Sequence, residues 1–142
     1  MALISEIADA VVGELNGGEF SQEFTAARRY LPLFDLQELK DLHVTVVPRG
    51  VAITGLARGV NQHDVQIDVA VQKKLETEGS DEIDPLMTLV EEIADFFRLR
   101  RLASYPNAVW VKTENTPIYS QEHLGQMRQF TSVVTLTFRV AR

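Results

Sequence analysis

No cysteine occurs in the 142-residue chain, which removes disulfides, thiolate metal ligands and cysteine nucleophiles from consideration. No apolar run approaches the roughly 20 residues that a membrane-spanning helix needs, so no membrane partner is expected. The N-terminal stretch Met1–Leu15 sets Glu6 and Asp9 inside its apolar pattern and lacks a positive leader, so it does not read as a signal peptide. Cationic excess is missing as well. The net charge of −6 argues against a dedicated nucleic-acid binder, which normally presents a basic face. It does not exclude a protein that lets DNA pass without holding it. There is no internal repeat, low-complexity tract or linker, and the whole of 1–142 reads as one domain.

What is present is an ordinary globular composition, 45% hydrophobic and 24% charged. A chain of this length buries about two-thirds of the surface its unfolded form exposes. Ile4, Ile7, Ala8, Val11, Val12 and Leu15 recur at i, i+3, i+4 and i+7, which predicts a helix over Ser5–Leu15 with Ser5 as cap. Asn16-Gly17-Gly18 supplies a left-handed stop. Strands are expected at Phe24–Tyr30, Leu42–Val47, Val51–Ala57, Val65–Gln72, Ala108–Lys112 and Thr131–Val140. Pro48-Arg49-Gly50 is expected to break the second from the third, and Asn61–Asp64 to be a hairpin connection. Phe34-Asp35-Leu36 reads as a turn or loop.

Glu76–Asp84 is acidic, contains Gly79 and reads mostly as a mobile loop. A second helix is expected from Pro85 to Arg101, capped by Asp84, with Leu86, Leu89, Val90, Ile93, Ala94 and Phe97 as its buried stripe. Arg98, Arg100 and Arg101 crowd its last turn, where the helix dipole favours cations. Thr116–Gln129 is polar and irregular, with one helical turn at Gln121–Leu124. One-sided helices and one-sided strands need each other for burial. The fold class is therefore α+β, a mostly antiparallel sheet with two main helices packed on one face.

Catalytic chemistry finds little purchase. His43 falls on the outer face of a strand, His63 beside Asp64 in a turn, and His123 beside Glu122 in a polar segment. A metal site would need three remote segments to converge, without HExxH-type spacing. Glu91, Glu92 and Asp95 lie on the outward side of the second helix, where a solvated face is the ordinary role. No GxSxG, GxxxxGK[ST] or GxGxxG pattern occurs. No catalytic residue, cofactor or metal is expected. A small hydrolase built on His63–Asp64 or Glu122–His123 stays open as an alternative, requiring those pairs to meet in one cleft. Arg28 and Arg29 occupy adjacent strand positions and point to opposite faces, so at least one is expected to pair with an acid at a subunit contact.

The order of elements carries a resemblance. The helix Ile4–Leu15, a strand group ending in Val65–Gln72, the helix Asp84–Phe97 and the terminal strand Ser132–Val140 together resemble the tail terminator and tail-completion proteins of long-tailed bacteriophages. The likeness covers nearly the whole chain and rests on length and element order, with no diagnostic motif. It implies a structural ring, usually of six subunits, that caps the tail tube, joins the head-side neck or head-completion protein, and lets DNA through its lumen. It places the chain at the head-proximal end of a virion tail assembled in the host cytoplasm, with a head–tail joining protein of the neck as the alternative. Ring closure needs a heterologous contact between two different patches. The candidate interface or lumen residues are Arg28, Arg29, Arg58, His63, Asp64, Glu76, Glu78, Asp81, Glu82, Tyr119, Glu122 and His123. Glu76–Asp84 and Asn115–Gln129 are the segments expected to order against partners.

Overall fold

The computed structural model describes residues 1–30, 41–76 and 80–142. In chain order the elements are α1 (Leu3–Gly17), β1 (Ala26–Arg28), β2 (His43–Ala57), β3 (Val60–Lys74), α2 (Ser80–Phe97), β4 (Val109–Glu114), α3 (Gln121–Met127) and β5 (Gln129–Ala141). The strands form one sheet in the order β1-β2-β3-β5-β4. Only the β1–β2 pair is parallel; the other three junctions are antiparallel.

Period-two alternation decides which way this sheet faces. In β3, Val65, Ile67, Val69 and Val71 are all fully buried. Val65, Ile67 and Val69 stand opposite Phe138, Leu136 and Val134 of β5, and Val69 and Val71 opposite Val46 and Val44 of β2. These side chains share one hydrophobic cluster with Ile7, Val11 and Leu15 of α1 and Leu86, Leu89, Ile93 and Phe97 of α2. Each such side chain taken fully out of water contributes about 1.5–3 kcal/mol. Both main helices therefore cover one face, as the α+β reading expects. α1 lies over β1, β2 and β3, and α2 over β5 and β4.

Several boundaries depart from the sequence expectations, each for a local reason. α1 begins at Leu3, two residues before Ser5, and has no side-chain cap. Gly18 ends it in extended backbone (φ −90°), not in a left-handed turn. A Cβ at Gly18 would sit 2.9 Å from the rings of Phe20 and Phe96, so glycine is needed there for space. Asn16 then clamps the start of β1, donating to the Ala26 carbonyl (3.1 Å) and accepting from its N–H (2.7 Å).

β2 runs through Pro48 instead of breaking there. A β-bulge between Pro48 and Gly50 absorbs the irregularity. Among the described residues the last bond to this side of β2 is from Arg29 N–H to Val46 O, so the position at which Pro48 lacks an N–H has no described strand beside it. The hairpin turns at Arg58-Gly59, where Gly59 takes φ 81°, and Asn61–Asp64 lie inside β3. α2 starts at Ser80 and takes in Pro85; Asp81 and Glu82 suit the positive end of its dipole, and Ile83 packs on the core. It stops at Phe97, before the arginines, and Leu99 holds a left-handed φ of 57° just beyond. Arg100 turns back to donate to Glu14 of α1 (2.7 Å) and lies 3.9 Å from the Phe96 ring centroid, tying the two helices together. The expectation for Phe34-Asp35-Leu36 lies outside the described residues.

Ile93 is 0% exposed under the sheet, while Ile53 is 60% exposed on β2. For the free subunit, at a concentration too low for assembly, Ile93→Ala should lower unfolding stability by about 2–5 kcal/mol, and Ile53→Ala should stay within roughly 0.5 kcal/mol of the parent, both read from urea unfolding midpoints.

Candidate assembly interface

The titratable residues singled out in the sequence do not converge. His63 belongs to β3, and its ring is on the helix-covered face, opposite Ile53 of β2 and Val140 of β5. Asp64, the next residue, points to the other face and accepts from Arg139 Nε at 2.8 Å. The two cannot act as a pair. His123 stands on α3 with its Nδ1 2.9 Å from the Thr131 hydroxyl. Thr131 and Val140 are nine positions apart along β5, so His123 and His63 are separated by roughly 30 Å. His43 shares the His123 end of the sheet, in register with Gln72. Among the described residues no group of three or more His, Asp or Glu side chains is placed to hold a metal ion.

The remaining candidates scatter in the same way. Arg28 pairs with Asp9 of α1 at 2.7 Å and lies 5.9 Å from the Tyr30 ring, so its acid comes from within the chain. Arg29 continues β1 with its backbone N–H on Val46 O. Arg58 is exposed at the tip of the β2–β3 hairpin. Glu82, in the first turn of α2 with Asp81, accepts from the Glu76 backbone N–H at 2.9 Å, which closes the end of the supposed acidic loop. Glu78 lies outside the described residues. Tyr119 packs on Phe130 with 6.2 Å between ring centroids, and Glu122 is exposed in the first turn of α3.

The segment after β4 is fastened where a free loop was expected. Asn115 donates to the Ser132 hydroxyl (3.0 Å) and the Val133 carbonyl (2.8 Å), Ser132 donates to the Ile118 carbonyl, and Ser120 N–H donates to Thr131 O (2.8 Å). Ser120 caps α3, which is seven residues long.

The surface feature that no single residue of the sequence marks is the outer half of β2. Every residue from Val51 to Gly59 is exposed, including Val51, Ile53 and Leu56 at 41, 60 and 56%. Among the described residues β1 pairs only with residues 44–46, so beyond the bulge the outer edge of β2 has no described strand partner. From Val47 to Gln62 the chain has two arginines and no carboxylate, although its net charge is −6. That acid-free, β-branched stretch was the sequence signal available. His63 adds to it: the residue is 8% exposed, and among the described residues its Nδ1 has no hydrogen-bond partner.

On the opposite face Arg139 holds the Asp64 carboxyl below its ordinary range, mainly through the hydrogen bond and then through its charge, against a partial loss of hydration. A carboxylate with a depressed folded pKa stabilises the fold above its unfolded value near 4 and loses that contribution as pH falls. Asp64→Asn should therefore be less stable than the parent at about pH 7, with the deficit shrinking in urea unfolding midpoints as pH falls below about 4.

Comparison with known proteins yields a fold and no family. No family model matches the chain, and no curated protein matches it either. Among solved structures it is similar to the PVC sheath/tube terminator of an extracellular contractile injection system, determined by cryo-electron microscopy in the extended state. The TM-score is 0.53 at 14% identity, covering 100% of this chain and 57% of the other. The chain thus shares the fold of a terminator protein while spanning little more than half of that protein's length.

Proposed function

We propose that this chain is the ring-forming terminator of a tail-like tube, in a long-tailed bacteriophage or a related contractile injection particle. The likeness that runs through the whole chain to a sheath/tube terminator carries this reading. The scatter of His63, Asp64, Glu122 and His123 is consistent with it, because a hydrolase would need these pairs in one cleft. In this reading residues 1–142 act as one unit in a closed ring of six copies. One ring face meets the last ring of tube protein and the other meets a head-side or neck protein. The acidic net charge suits a lumen through which DNA passes, since a basic one would hold the polymer by its phosphates.

The test is direct. Multi-angle light scattering of the purified protein across a concentration series should show a discrete oligomer, and negative-stain micrographs should show rings, alone or with the tube protein. A monomer at the highest concentration, with no rings in either preparation, contradicts the proposal. Co-purification with portal and adaptor proteins in place of tube protein moves the chain to the neck.

A further inference from the structure

We propose that the ring closes by β-strand addition: the open edge of β2 in one copy takes the outer edge of β4 from the next. This rests on the ring reading above and names its subunit contact. The first observation is the direction of the strands. β2, β3, β5 and β4 alternate up, down, up, down, so the two free flanks of this four-strand block run oppositely. Setting β4 of one copy beside β2 of the next therefore makes an antiparallel junction, and the sheet continues without a parallel step. Two different edges meet, which is the heterologous contact that a ring requires.

The second observation is which backbone groups face outward. Asn61 and Arg142 donate to each other's carbonyls (2.8 and 2.9 Å), so odd residues of β3 bond to β5 and even ones to β2. Gly50, Ala52 and Thr54, opposite Gln66, Asp64 and Gln62, therefore face β3. Val51 and Ile53 turn their N–H and C=O groups to the open side. The same reasoning on β5 points Val109, Lys112 and Glu114 of β4 inward, opposite Arg139, Thr137 and Thr135. It leaves Trp110 and Thr113 with outward groups, and the bulge at Val111 between them.

Among the antiparallel registers that satisfy both edges, the one that seats both exposed apolar residues of β2 on outward groups of β4 sets Val51 opposite Thr113 and Ile53 opposite Trp110. Val51 and Ile53 project on the helix-covered face, being opposite Val65 and His63. Trp110 and Thr113 project on that face too, being opposite Phe138 and Leu136. The exposed Val51 and Ile53 would thus meet the half-buried Trp110 of the neighbour, beside His63, which stands opposite Ile53. An unpaired strand edge with exposed apolar side chains is the feature that strand addition uses, and proteins that do not use it blunt such an edge.

The cysteine-free chain makes the test clean. In the proposed register Ala52 and Lys112 form a non-hydrogen-bonded cross-strand pair, the closer of the two pair types. Mild oxidation of the Ala52→Cys, Lys112→Cys double variant should give a ladder of disulfide-linked multimers ending at the closed ring. Each single variant should give none beyond a dimer. A ring in micrographs with no ladder overturns the proposed contact and leaves the ring reading intact, whereas a parent protein that forms no ring removes both. Ile53→Pro supplies a second readout, because the N–H it deletes faces solvent in the monomer. It should keep the parent's circular dichroism, keep the unfolding midpoint of the parent's free subunit at a concentration too low for assembly, and lose the ring. A folded Ile53→Pro protein that assembles like the parent overturns the contact.

Discussion

β3 is the strand on which everything else is measured. It pairs with β2 along one flank over Val60–Gln72 and with β5 along the other over Gln62–Lys74. Its odd positions from Val65 to Val71 are fully buried against α1 and α2, and its even positions place Asp64 and Asp68 where Arg139 and Arg49 can reach them. A shift of one residue in this strand would turn the core set to solvent. The helices depend on the same register, because the stripes of α1 and α2 are buried only against the face that β3 sets.

Full pairing of β3 has a consequence at the sheet's margin. β2 must run as far as β3 does in order to pair with it, yet β1 covers only residues 44–46 of its outer side. Among the described residues the remainder of β2 is left as an edge strand with exposed apolar side chains. For an isolated monomer this is a liability. For a subunit of a ring it is an attachment point, and the β4 edge on the far side of the sheet has the matching strand direction.

Most of the core was legible in the sequence because periodicity reports burial directly. The stripe Ile7–Val11–Leu15, the alternation Val65–Val71 and the alternation Val134–Val140 all occupy the positions expected of them. What was not legible followed from pairing between distant segments. Pro48 reads as a breaker, and only the short reach of β1 shows why its missing N–H is harmless. Asn61–Asp64 reads as a turn because it is polar, yet β5 pairs along it and holds it in strand. Arg100 reads as a dipole partner, whereas it reaches back across the fold to Glu14. The site residues were the least legible. Polar character marked His63, Asp64 and His123, but adjacency in a strand sends neighbours to opposite faces. The open edge is defined by which backbone groups lack a partner, and no single side chain announces that.

Hydrogen exchange at single-residue resolution tests this most directly, comparing free subunit with assembled ring. In the free subunit the amides of Ala52 and Thr54, bonded to β3, should exchange slowly, and those of Val51 and Ile53 quickly. In the assembled ring all four should be protected. Rapid exchange at Val51 and Ile53 in an intact ring would show that the edge stays open, and that the subunits are joined elsewhere.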